Sequence, residues 1–273
     1  MTARDGDNRE KSPPAHSTSP PSPGEPPFLS VVVPAYNEAD RLPATIRAIV
    51  AYLADQPYPS ELIVADDGSD DATVDVARRA LDKRIPIRIL ELDHRGKAAA
   101  VRAGVLATTG RNVLFTDADL SSPIAGVERL LALRDMGHDV VIGSREGVNA
   151  RRIREPAYRH LMGRAFNWFV RAIAVRGVRD TQCGFKLFSR AAVDDIFPRL
   201  LLHQSDASLR GPRVSAFDVE VLYIAHRRGF KIAEAPVIWT HVSGSKVRPG
   251  IDSIRMFMDV LQVRWNALRG KYN

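Results

Sequence analysis

The sequence contains one cysteine, Cys183, among 273 residues, so no internal disulfide framework can staple the fold. A lone thiol fits a reducing compartment. Cys183 also lacks a His or Asn partner at a recognisable nucleophile spacing, and it is expected to be buried and inert. No stretch reaches the ~18 consecutive apolar residues of a membrane span, and the N-terminal residues carry no signal-peptide h-region. The histidines show no metal-ligand spacing such as His-x3-His; His241 stands just ahead of a Gly-Ser-Lys turn. Aromatic residues are 7% of the chain and are not interleaved with the basic ones at a stacking platform. With no recognition motif either, nucleic acid is not an expected partner. Trp168, Trp239 and Trp265 are expected to be packing anchors.

What is present is the makeup of a globular chain, 45% hydrophobic and 26% charged, with a formal net charge of +7. That charge is local. Between positions 145 and 179 lie arginines 145, 151, 152, 154, 159, 164, 171, 176 and 179, against Glu146 and Glu155, and the remaining chain is balanced. Such a block suggests one place for an anion rather than general polyanion binding.

Residues 1–27 are rich in Pro and Ser and nearly free of large apolar side chains, so they are expected to be a disordered tail. From Phe28 apolar runs of strand length recur at Phe28–Val33, Glu61–Ala65, Ile85–Leu90, Asn112–Thr116 and Asp139–Ile142. Helix-period segments separate them at Ala39–Ala54, Asp71–Leu81, Lys97–Thr108 and Pro123–Met136. Strands apolar on both faces, alternating with helices, predict an α/β fold with a mostly parallel central sheet covered on both sides. Ligands then belong at the carboxyl ends of the strands. The second half predicts helices at Pro156–Val175, Phe217–Arg228 and Pro249–Leu268, and strands at Phe185–Phe188 and Lys231–Ile238. No linker separates the halves, so residues 28–273 are expected to form one domain, 28–145 and 146–273 being its two halves.

The strongest local signal is Asp117-Ala118-Asp119 after the strand Asn112–Thr116. Residues i and i+2 of an extended chain share a side, so both carboxylates converge at the sheet edge. They suit a hard divalent cation, though Asp119 or Ser122 can also cap the helix that starts at Pro123. Asp66-Asp67-Gly68-Ser69-Asp70 follows another strand end; Gly68 permits a tight turn and Ser69 or Asp70 can cap the next helix. Asp66 and Asp67 sit too early to cap, and a carboxylate there can accept from a ribose hydroxyl or a base N–H. The first strand ends in Pro34-Ala35-Tyr36-Asn37-Glu38. Three polar turns on one sheet edge describe a pocket.

Val31–Glu38, Asp66–Asp71 and Asp117–Asp119 together resemble the family 2 glycosyltransferases of the A-type, nucleotide-sugar-binding fold, over nearly all of Phe28–Arg269. Arg179–Phe188, Phe217–Glu220 and Gly244–Lys246 look like the polyprenyl-phosphate (dolichyl-phosphate) glucosyltransferase subgroup. The resemblance implies that Pro34, Ala35, Tyr36 and Glu38 flank the nucleoside and that Asp67 or Asp66 holds its base or ribose. Asp117 and Ala118 would lie near the ribose, and Asp119, with Asp117, would bind Mg2+ or Mn2+ at the diphosphate. Lys97 and Lys246 would reach the nucleotide-sugar, Lys97 being equally a plain helix-entry charge. Arg145, Arg159 and Gly163 would cradle the acceptor phosphate. Relatives of the mannose type often carry Gln where this sequence has Ser121, which leaves a third metal ligand unassigned.

The implied reaction is inverting transfer of a hexose, glucose from UDP-glucose by the subgroup resemblance, to a polyprenyl phosphate. A divalent cation would stabilise the leaving diphosphate. A phosphate monoester with second pKa near ~6 is largely dianionic at neutral pH and needs no general base, only cations to position it. Pro156–Val175 and Pro249–Leu268 each carry an apolar stripe bordered by arginines, which fits either core packing or a peripheral seat on the cytoplasmic face of a membrane. GDP-mannose as donor, a soluble acceptor, and a non-catalytic nucleotide-sugar-binding scaffold stay open on the residues alone.

Overall fold

The computed structural model describes residues 25–153, 163–164, 166–170, 173–175, 177–202, 215–242 and 251–273. Most of the expected tail, Arg159, Lys246 and the Gly244–Lys246 turn therefore lie outside the described residues. The strands are β1 (Leu29–Ala35), β2 (Ser60–Asp66), β3 (Ile87–Glu91), β4 (Asn112–Thr116), β5 (Val140–Ser144), β6 (Arg151–Ile153), β7 (Phe185–Ser189), β8 (Ile232–Pro236) and β9 (Ile238–Thr240). The helices are α1 (Leu42–Ala54), α2 (Thr73–Arg79), α3 (Lys97–Leu106), α4 (Val127–Asp135), α5 (Arg190–Ile196), α6 (Phe217–Arg227) and α7 (Ile251–Leu268).

Seven strands from both halves of the sequence form one sheet in the order β3-β2-β1-β4-β7-β5-β8. All neighbours are parallel except β7, which runs antiparallel between β4 and β5. Alternation along each strand divides the core between the two faces. Val31, Val33, Leu62, Val64, Leu114 and Val141 pack with α1 and α4, while Val32, Ile63, Val113, Phe115, Val140 and Ile142 pack with α3, α5 and α6. Burial on both faces is why these strands read as unbroken apolar runs.

Where the structure departs from the sequence pattern, local chemistry explains it. Pro27 belongs to the domain rather than the tail, since its carbonyl accepts the Arg111 amide at 2.8 Å. The expected strand Lys231–Ile238 is two strands. Pro236 cannot donate to the ladder, and beyond it the chain leaves β5 to pair with β6. Helix α5 was not expected, although Ser189 caps it by accepting the Ala192 amide at 3.1 Å.

Candidate active site

The carboxyl ends of β1, β2, β4 and β5 and the amino end of β7 meet at one sheet edge, and the site is built there from their loops. After β2, Asp66 accepts the Ser69 amide at 3.0 Å and the Ser69 hydroxyl at 2.5 Å, closing a turn through Gly68. Gly68 has φ +67°, and a Cβ there would fall 2.6 Å from the His94 amide nitrogen, so both the turn and the close approach demand glycine. Asp67 accepts the backbone amides of Arg95 at 2.9 Å and Gly96 at 2.9–3.0 Å and bonds His94 Nδ1 at 2.8 Å. Burial pushes the Asp67 carboxyl above the ordinary carboxylate range, although these bonds favour its charged form. Both carboxylates singled out for base or ribose contact are thus bonded within the loops, Asp67 bracing the turn before α3.

Tyr36 stacks on His94, their rings 4.0 Å apart and 4° from parallel. This contact joins the loops after β1 and β3. Pro34 and Ala35 are buried beneath it. Glu38 pairs with Arg41 at 2.7 Å, and its amide donates to Thr73 Oγ1 at 2.7 Å. Neither Ser69 nor Asp70 caps α2; the cap position is Ala72, and Asp71 just ahead of it accepts the Thr73 amide at 2.8 Å. His94 was missed as a site residue. Its signal was a polar turn after a fourth strand, of the kind that had marked the other three.

Asp117 and Asp119 follow β4, both half-buried, with Ala118 buried between them. Asp119 Oδ1 accepts the Ser121 amide at 2.9 Å, in a turn that holds Leu120 at φ +44°. Asp119 therefore caps its own turn rather than α4, and its Oδ2 has no hydrogen-bond partner among the described residues. Asp117 Oδ1 pairs with Lys97 at the start of α3. Burial alone would lower the Lys97 pKa, but Asp117, Asp218 and Asp119 outweigh it and raise the value. Two adjacent carboxylates, each with an oxygen that has no protein partner among the described residues, fit a small hard cation whose other ligands come from a diphosphate. No cluster of three or more His, Cys, Asp or Glu capable of holding a metal occurs among the described residues.

Gly184 fixes where Asp117 stands. Thr116 is paired with Phe185 across β4 and β7, and the Asp117 amide donates to the Gly184 carbonyl at 3.2 Å. A Cβ on Gly184 would lie 2.1 Å from Asp117 Oδ2. Beneath this turn, fully buried Lys186 donates to the Cys183 carbonyl and to Asp218 Oδ1, each at 2.5 Å. Cys183 is 1% exposed and its thiol is pushed up to about 12 by burial, in line with an inert core residue.

Arg145, at the end of β5, makes a two-pronged ion pair with fully buried Asp180, Nε and Nη2 donating at 2.7 and 2.8 Å. Its amide adds a third bond at 2.9 Å, and its guanidinium lies 5.4 Å from the Trp239 ring centroid. Burial by itself would raise the Asp180 pKa, but the charge and hydrogen bonds of Arg145 hold it below the usual carboxylate range. Gly163 is exposed, with open space where a Cβ would stand. His241 donates its amide to the Ile153 carbonyl at 2.9 Å, beside the β6–β9 pair.

Helix α7 decides the fate of its apolar stripe. Ile254, Phe257, Met258, Leu261, Trp265 and Leu268 are exposed. The buried face instead holds Val260 and Val263 with Asp252, Asp259 and Asn266, and Asp259 accepts the Ala216 amide at 3.0 Å. Trp168 and Trp265 are 68% and 55% exposed, so they are not packing anchors. The helix's polar contacts turned that stripe outward. No helix among the described residues is long and apolar enough to cross a membrane.

This mostly parallel sheet, with acidic loops at one edge, has the architecture of the A-type glycosyltransferases. Glucosyl-3-phosphoglycerate synthase from Mycobacterium tuberculosis in complex with UDP superposes with a TM-score of 0.59 at 23% identity, over 88% of this chain and 80% of that one. A mannosyltransferase from Pyrobaculum calidifontis in complex with GDP-Man and Mn2+ gives 0.58 at 22%, over 92% and 66%. Residues 30–197 match Glycosyl transferase family 2, and the chain belongs to that family. It is a glycosyltransferase. Dolichyl-phosphate beta-glucosyltransferase from Homo sapiens is 37% identical over 259 residues, 89% of this chain and 77% of the relative. The Dictyostelium discoideum protein of that name is 36% identical over 259 residues (89% and 76%), and that of Saccharomyces cerevisiae 36% over 266 (90% and 76%).

Proposed function

We propose that the protein transfers glucose from UDP-glucose to a polyprenyl phosphate with inversion, giving a β-linked polyprenyl-phosphate glucose. One observation carries the reading. The segment 179–188, whose residues resemble the polyprenyl-phosphate subgroup, enters the sheet beside β4 and presses Gly184 against Asp117. That contact supports taking subgroup motif and acidic pair as one site, and relatives of 36–37% identity bear the name of this activity.

In this reading the β1 and β2 loops, from Pro34 to Glu38 with Asp66 and Asp67, hold the nucleoside half of the donor. Asp67 acts through the His94–Gly96 turn it braces. Asp117 and Asp119 would hold Mg2+ or Mn2+, which when bound supplies Lewis-acid stabilisation of the departing diphosphate. Lys97 adds a fixed positive charge beside the same carboxylates. An oxygen of the acceptor monoester attacks the anomeric carbon as the bond to the nucleoside diphosphate breaks. Its dianionic form makes a general base unnecessary. Arg145, held rigid by Asp180, shapes the acceptor side, and Arg159, Gly163 and Lys246 are assigned as the resemblance has them.

The exposed stripe of α7 supports a peripheral seat on a membrane. Six large apolar side chains on one helix face, with Arg255, Arg264 and Arg269 also exposed, suit the headgroup boundary of an anionic bilayer. A lipid acceptor requires such contact. The test is a panel of nucleotide-sugars, each scored for thermal stabilisation of the protein and for lipid-extractable product with a polyprenyl phosphate. UDP-glucose is expected to lead on both readouts. No lipid product with any donor refutes the reading.

A further inference from the structure

Beside the Arg145–Asp180 pair lies a cleft of about 330 Å³, lined by Glu146, Gly147, Arg164, Asn167 and Arg179. Its charges are unequally committed. Glu146 is neutralised by Arg152 at 2.7 Å, whereas Arg164 and Arg179 have no ion-pair partner among the described residues. Asn167 is only 5% exposed. Its Oδ1 accepts the Thr181 amide at 3.3 Å and the Thr181 hydroxyl at 3.0 Å. That network fixes which end of the amide is oxygen, and leaves Nδ2 a donor with no protein partner among the described residues. Gly147, at φ +102°, keeps the wall beside Arg179 free of a side chain.

We propose that Arg164, Arg179 and Asn167 Nδ2 form a binding subsite for a phosphate monoester, which in the transfer reading above, on which this rests, is the phosphate of the acceptor. Two guanidinium groups and one amide donor match an anion rich in acceptor oxygens, and the one acid of the wall is already paired. The location fits. From Arg179 the chain passes Asp180, bonded to Arg145, and reaches Gly184, pressed on Asp117, within five residues or at most about 17 Å. On the other side, Arg164 and exposed Trp168 are one helical turn apart, and Phe169 stacks on Phe257 of α7 at 4.2 Å. The cleft is therefore linked through short stretches of chain to both the acidic pair and the outward apolar stripe, so that a lipid resting on the stripe can offer its phosphate there. Because Arg145 spends Nε and Nη2 on Asp180, these three residues take over much of the holding of the phosphate.

The experiment compares the full chain with Arg164→Gln, Arg179→Gln and the double variant. Its probes are a short-chain polyprenyl phosphate as acceptor and inorganic phosphate as competitor, with KM for UDP-glucose and Tm followed in parallel. Each single change is expected to raise the acceptor KM about tenfold and both together about a hundredfold, with phosphate inhibition weakened alike. Donor KM and Tm should hold. A double variant with wild-type acceptor KM overturns the subsite while leaving the transfer reading intact. A raised acceptor KM with unchanged phosphate inhibition also overturns it, since the arginines would then be serving the lipid surface. Phosphate protection against heat that the double variant loses, without any lipid product from the wild type, would sink the transfer reading alone and keep a site for a soluble phosphate monoester.

Discussion

Replacing Gly184 by alanine tests the geometry of the acidic pair directly. The added Cβ would stand 2.1 Å from Asp117 Oδ2, 2.4 Å from Cγ and 2.6 Å from Oδ1. An ordinary carbon–oxygen contact is about 3.3 Å or more, so the carboxylate must give way by roughly 1 Å. Rotating the carboxylate cannot relieve a clash that includes Cγ itself. Either Asp117 leaves Lys97 for another rotamer, or the Cys183–Phe185 turn retreats from β4 and stretches the 3.2 Å bond from Asp117 N. A displacement of that size at a reacting centre costs about 10²-fold in rate, whereas the overpacking costs only about 1–3 kcal/mol of stability. Steady-state glucosyl transfer should therefore lose kcat about a hundredfold while Tm falls by several degrees. Gly126→Ala is the control, because its Cβ would meet only the Phe185 ring, at 3.5 Å, and little should change. Wild-type kcat and metal response in Gly184→Ala would refute the argument that Asp117 is placed by this contact.

Asp119→Asn keeps an oxygen for the Ser121 amide but removes the charge, so the fold should persist while transfer falls by about 10²-fold or more. Unaltered turnover with excess chelator present would exclude Asp119 from metal binding. Arg145→Gln exposes the Asp180 carboxyl to its own burial. The stability that the lowered Asp180 pKa contributes is full above the unfolded value of about 3.9 and is lost as pH falls through the folded one. Removing Arg145 should cost about 3–5 kcal/mol and move the acid midpoint of unfolding upward; an unmoved midpoint by circular dichroism contradicts the pair's role. Leu261→Asp with Trp265→Asp should weaken sedimentation with anionic vesicles roughly a hundredfold, at about 1.5 kcal/mol per apolar side chain, while Tm stays put. Equal partitioning of variant and wild type would remove α7 from the membrane contact.

Most of the sheet could be read directly, because β1, β2, β4 and β5 are buried on both faces and burial writes itself as consecutive apolar residues. The acidic loops were readable for a related reason. A strand end followed by Asp is a local pattern, and Asp117, Asp119 and Gly68 needed no knowledge of what lay across the fold. Asp67 was legible as a site residue but not in its role, since the amides it accepts belong to residues 28 and 29 positions away. Composition and periodicity therefore determined the layers, the loaded sheet edge and the arginine block. Tertiary structure decided the rest, which depends on partners remote in sequence. It turned β7 antiparallel so that Gly184 meets Asp117, bound Arg145 to Asp180, buried Lys186 with Asp218, and rolled α7 so that its polar side chains bond inward and its apolar ones face out. A stripe of apolar residues has the same spacing on either face of a helix; contacts remote in sequence, the hydrogen bond from the Ala216 amide to Asp259 and the buried valines beside it among them, choose which face is buried.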